Sequence, residues 1–208
     1  ENNLFDDVRL SFLKSAMNFI EFIDVDLSIK NVIFTGSNAS YNFNDWSDCD
    51  IHVIVENNDD IIDNLLLTKR TLWNILHHDV KVKGYNVEIY PEDSKHPVTA
   101  SGVYDIVHCE WIRKPSHDKI KFDDRSIIKK VEAYSDEIES VIKSNNYEQI
   151  SITLQNVRDL RQIGLNKSGE QSVENITFKV LRNEGYIEKL INTKRDIENK
   201  ILSTSDKE

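Results

Sequence analysis

The sequence predicts an α+β chain in two parts: a mixed αβ part over residues 1–120 and an all-helical part over 121–208. Two observations carry this. In the first half, short runs rich in β-branched and aromatic residues (NVIFTG, CDIHVIV, VKVKGYNVEIY) alternate with helical periodicities. From Asp124 onward the texture changes to three successive helical patterns with no further strand-like run.

The elements follow in order. Residues 4–23 place Leu4, Val8, Phe12, Ala16 and Ile20 at helical spacing, which predicts an amphipathic helix. NVIFTG ends at a glycine and reads as a buried strand, and CDIHVIV reads as a second. Between Asp59 and His78 the apolar spacing suits another helix, with Asp59 or Asp60 as its cap. VKVKGYNVEIY alternates around Gly84 like a hairpin or a bent strand. PEDSKHPVTASG is a loop, and VYDIV and EWI after it are two short strand-like pieces. The helical patterns span roughly 124–144, 147–164 and 171–202, with breaks at SNN and NKSGE.

Composition narrows the classes. Hydrophobic residues make up 39% and charged residues 30%, enough for a core beneath a well-solvated surface. A net charge of −10 argues against broad attraction to nucleic acid or acidic membrane. Cys49 and Cys109, sixty residues apart, read as buried free thiols rather than a disulfide or zinc pair. No apolar stretch approaches a membrane span and no secretory signal opens the chain, so a cytoplasmic, reducing setting is expected. The first residue is Glu rather than Met, as expected of a processed or trimmed chain.

The chemistry concentrates in one stretch, FTGSNASYNFNDWSDCDIHVIV. Asp48 and Asp50 stand two apart at the mouth of an apolar run, and residues two apart on a strand share a face. Two like charges there cost stability unless a cation lies between them, and paired carboxylates are hard-oxygen ligands suited to Mg²⁺ or Mn²⁺. Two-metal phosphoryl chemistry needs a third carboxylate. Glu88, within the greasy strand YNVEIY, is the candidate, and Asp105 in VYDIV is its rival. Gly36 permits close approach of backbone to a phosphate, and Ser37 offers a hydroxyl and an N–H at a short helix start. GxxxxGK[ST] spacing is absent, so this is no Walker loop. His52, Lys81, Lys83, Arg113, Lys114, Arg158 and Arg161 are weaker candidates, and Tyr41 and Trp46 are loop aromatics placed to touch an acceptor or nucleobase.

Gly36-Ser37, then ten residues, then Asp48-Cys49-Asp50 leading into an apolar run, resembles the nucleotidyltransferase superfamily of DNA polymerase beta. The resemblance covers about residues 28–92. It implies a small mixed β-sheet with helices on one face, followed by a C-terminal helical region. Gly36 and Ser37 would bind the nucleotide phosphates, and Asp48 and Asp50 would ligate two divalent ions. Glu88 would help to bind one metal and act as base on the attacking hydroxyl. Members move a nucleoside monophosphate from an NTP to a hydroxyl or phosphate and release pyrophosphate. The acidic chain favours a small molecule, a protein side chain or a nucleic-acid end as acceptor. SGVYDIVHCEWIRKP is similar in feel to short nucleotidyltransferase-like proteins of large-tailed phages. The competing expectation is a degenerate member kept as a binding module, for example a virion component or an antitoxin-like partner.

Overall fold

A computed structural model of the chain describes residues 3–56, 59–95, 98–116 and 123–203. It is an α+β protein whose residues cluster into two compact units, 1–118 and 119–208.

The first unit begins with α1 (Asp6–Ile23), followed by β1 (Ser28–Thr35), a short 3₁₀ turn (Ser37–Ala39) and β2 (Cys49–Glu56). Then come α2 (Asp60–Leu76), β3 (Lys81–Val82), β4 (Tyr85–Asp93), β5 (Val103–Asp105) and β6 (Glu110–Arg113). The six strands form one mixed sheet in the order β3-β4-β2-β1-β5-β6. β2 and β4 run parallel, which the crossover through α2 permits, and the other pairings are antiparallel.

Alternation sorts the sheet into two faces. Along β2, Cys49, Ile51, Val53 and Val55 are buried while Asp50, His52 and Ile54 are half-buried. The buried set packs with Val32, Phe34, Val87 and Ile89 beneath Val8, Phe12, Ala16, Phe19 and Ile23 of α1 and Leu66 and Trp73 of α2. The apolar face of α1 is therefore centred one turn further along than its sequence spacing predicts, with Phe19 and Ile23 buried and Ile20 at the margin. Asp59 caps α2 as expected, accepting from the Ile61 N–H at 2.8 Å.

Three expectations change. Lys83 is not on a strand face with Lys81: at φ 51° it forms the β3–β4 turn with Gly84 (φ 90°), and its ammonium pairs with Asp7 of α1. Cys109 is exposed, while Cys49 is buried and its thiol pKa is pushed up to about 11 by desolvation. Arg113 is committed to structure, donating to the carbonyls of Val98 (3.1 Å) and Ala100 (2.6 Å).

Asp105 is a structural acid. It is 4% exposed and accepts from Asn31 Nδ2 (2.6 Å), the His108 N–H (2.8 Å) and His108 Nδ1 (2.9 Å). Burial raises its pKa, but these donors outweigh burial and hold it below the usual carboxylate value. Its stabilisation is thus present above the ordinary Asp range and lost as pH falls through the lower folded value. The same contact raises the His108 pKa, so that contribution is lost as pH rises through the folded histidine value. Asp105→Asn should cost about 1–3 kcal/mol near pH 7. Urea titrations should find the deficit smaller near pH 3, and an equal deficit at both values would assign the loss to packing instead.

In the second unit, α3 (Asp124–Ser144), α4 (Tyr147–Ser168), α5 (Val173–Asn183) and α6 (Tyr186–Leu202) bury Ile138, Ile150, Leu154, Val157, Phe178, Leu181 and Leu190. Asp123, Asn146 and Ser172 cap α3, α4 and α5 through their side chains. The helix expected over 171–202 is two helices, because Gly185 at φ 78° turns the chain between α5 and α6.

Candidate active site

The half-buried face of the sheet gathers the acids. Thr35, Asp50 and Glu88 occupy one rung across β1, β2 and β4, since Thr35 pairs with Asp50 and Asp50 with Glu88. Directly opposed residues on neighbouring strands share a face, so the two carboxylates project together although 38 positions separate them in sequence. Thr35 turns its hydroxyl away, donating to the Gly102 carbonyl at 2.9 Å.

Gly36 follows this rung immediately. A Cβ built on it would lie 1.8 Å from Asp50 Oδ2 and 2.8 Å from its Cγ. The missing side chain is therefore the space into which the Asp50 carboxylate extends. The backbone there, φ 77° and ψ −161°, is in a region only glycine adopts without strain. Ser37 opens the 3₁₀ turn and its carbonyl accepts from the Ser40 N–H and hydroxyl.

Asp48 lies in the loop, one residue before β2 begins at Cys49, so strand alternation orients Asp50 but not Asp48. Its backbone is held instead by Asn38, whose amide donates to the carbonyls of Ser47 and Asp48, each at 3.1 Å. Asn44 and Ser47 close the rest of the loop through Ser47 Oγ, which accepts from the Asn44 N–H at 2.9 Å. Tyr41, Phe43 and Trp46 project from it, Trp46 being 66% exposed.

The next rung pairs His52, a candidate from the sequence, with Tyr90, which sequence reasoning missed. Tyr90, opposite His52, donates its hydroxyl to Glu88 Oε2. Burial, then the Glu88 charge, pushes the phenol pKa far above its ordinary value, so Tyr90 remains a donor across the working pH range. Its ring stacks on His52 (centroids 5.0 Å apart) and lies beneath the Arg70 guanidinium at 3.9 Å. His52 Nδ1 is 3.1 Å from Glu92 Oε2, and burial lowers its pKa against the raising effect of Glu92. The spacing E-I-Y, which puts Tyr90 on the face of Glu88, was the available signal.

The structure brings Gly36, Asp50 and Glu88 together, with Asp48 beside them in sequence. It does not gather a finished metal cage: among the described residues no three His, Cys, Asp or Glu side chains are close enough to hold one ion. The physical reason is local, since the Glu88 carboxylate engages Tyr90 and Asp48 precedes the strand. In chemistry alone the donors suit a hard divalent cation, with the oxygens of two carboxylates at one rung end.

No protein-family profile matches the sequence, and no curated protein matches it. Among solved structures, the STING-associated CdnE c-di-GMP synthase from Capnocytophaga granulosa matches over 95% of this chain and 84% of its own, at 11% identity and a TM-score of 0.26. At that score the two backbones superpose too poorly for the likeness to bear on function. Among the described residues no helix is long and apolar enough to cross a membrane.

Proposed function

We propose that the chain is a metal-dependent nucleotidyltransferase that moves a nucleoside monophosphate from an NTP to a hydroxyl or phosphate acceptor. The observation that carries this reading is the shared rung of Asp50 and Glu88, with Gly36 packed against the Asp50 carboxylate. Asp48, Asp50 and Glu88 would hold Mg²⁺ or Mn²⁺, which when bound neutralises phosphate charge and orients the triphosphate. The Gly36–Ser37 backbone and the Ser37 hydroxyl bind phosphate oxygens. A Glu88 carboxylate oxygen takes the proton of the acceptor hydroxyl as its oxygen bonds to the α-phosphorus. The bond from that phosphorus to the bridging oxygen breaks, and pyrophosphate leaves. Residues 1–120 form the catalytic part on this reading.

One observation favours a second reading. The Glu88–Tyr90 hydrogen bond and the lack of a gathered acid triad among the described residues suit a degenerate member that keeps the fold as a binding module. Incubation with each α-labelled NTP, Mg²⁺ or Mn²⁺ and candidate acceptors decides between them. The enzyme reading expects label transfer and pyrophosphate release, both abolished by Asp48→Asn with Asp50→Asn. Equal labelling by that double variant would sink the metal assignment, and no transfer with any acceptor would favour the module.

A further inference from the structure

A cavity of about 290 Å³ lies on the other face of the sheet, among α1, α2 and the β3–β4 hairpin. Its lining includes Val82, Val87 and Ile89, three buried residues of the hairpin strands, with Trp73 of α2 and His77 just after its end. Val87 and Ile89 flank Glu88 in sequence and so face away from the acidic rung, which separates this cavity from the proposed active site.

Its lining is divided by chemistry. Trp73 and His77 are stacked on each other at 3.7 Å between ring centroids, and both line the cavity. His77 Nδ1 faces the Trp73 carbonyl at 3.1 Å, a partner it can meet only as a donor. Two lysines, Lys14 of α1 and Lys81 of β3, also line the cavity. Neither meets a carboxylate within ion-pair distance among the described residues, whereas Lys83, two residues on, is paired with Asp7. Both are exposed, and two lysines at one cavity form a local positive feature in a chain of net charge −10.

We infer that this cavity binds a small aromatic acid, one ring bearing a single carboxylate or phosphate. The ring would sit among Trp73, His77, Val82 and Ile89, and the anionic group would be taken by Lys14 and Lys81. The volume sits at the lower end of ligand-sized pockets, which suits one substituted ring. The inference is independent of the reaction proposed above.

The test uses the full chain with Trp46→Phe and Trp111→Phe, which leaves Trp73 as its sole tryptophan, in EDTA to exclude divalent ions. Phenyl phosphate and benzoate are the titrants. At least one should shift Trp73 emission saturably, while phenol and inorganic phosphate bind at least about tenfold more weakly. Lys14→Gln with Lys81→Gln should weaken binding by about tenfold or more. Ser15→Phe, which puts a ring at a position lining the cavity, should abolish it, and Asp48→Asn with Asp50→Asn should leave it unchanged. A non-saturating response, or equal binding by both cavity variants, would overturn the inference. Loss of binding in the aspartate variant would do so too, by placing the ligand at the acidic face.

Discussion

Gly36→Ala is expected to destabilise the protein and abolish nucleotide transfer while leaving every carboxylate in place. The new methyl would be built 1.8 Å from Asp50 Oδ2 and 3.1 Å from its Cβ, so rotating the carboxylate away relieves only part of the clash. The backbone at φ 77°, ψ −161° adds strain that an alanine cannot relax without moving the turn before Ser37. Together these should cost roughly 2–4 kcal/mol in urea denaturation. A displaced Asp50 should lower turnover by about a hundredfold or more, the usual consequence of shifting a reacting group by an ångström. Gly84→Ala is the control. Gly84 also has positive φ (90°), but a Cβ there meets nothing within 4 Å, so it should lose about 1 kcal/mol and no activity. Full activity in a folded Gly36→Ala protein would remove the rationale for the Gly-Ser turn as part of the site.

That contrast also marks what could be read before the fold was known. Gly36, Asp50 and Glu88 were legible because each breaks a local rule: a glycine ending a strand, and acids inside apolar runs. Their meeting was not legible, because the Asp50–Glu88 pairing depends on the register of two parallel strands joined through α2. Asp105 broke the same rule for a different reason. Its partner Asn31 lies 74 residues away, and nothing local distinguishes a buried acid satisfied by an amide and an imidazole from one awaiting a cation. Tyr90 was overlooked since a tyrosine in a strand ordinarily reads as packing. The α5–α6 break was missed for the opposite reason: apolar periodicity continues through FKVLRNEGYIEKL, and a lone glycine in a helical pattern is often tolerated. The start of α2, by contrast, was written in a single capping residue, Asp59.

Glu88→Gln and Tyr90→Phe should move turnover in different ways, and the pair separates an enzyme from a retired fold. If Glu88 receives the acceptor proton, its amide should lower kcat by about 10²–10⁴ with little change in KM for the NTP. Tyr90→Phe removes the hydroxyl that donates to Glu88 Oε2 while keeping the ring between His52 and Arg70. An oxygen committed to a phenol is less available to a cation, and one such hydrogen bond is worth about 0.5–1.5 kcal/mol. Tyr90→Phe should therefore retain turnover and lower the Mg²⁺ or Mn²⁺ concentration for half-maximal activity by about two- to tenfold. Metal titrations of the wild type and the two variants measure both effects. Full turnover in Glu88→Gln would strip that residue of its role. A higher half-maximal metal concentration in Tyr90→Phe would mean that the phenol orients Glu88 for catalysis instead of competing for it. A wild type inactive at any metal concentration would make the Tyr90–Glu88 contact the resting bond of a binding module, with the carboxylate satisfied by its neighbour on the strand.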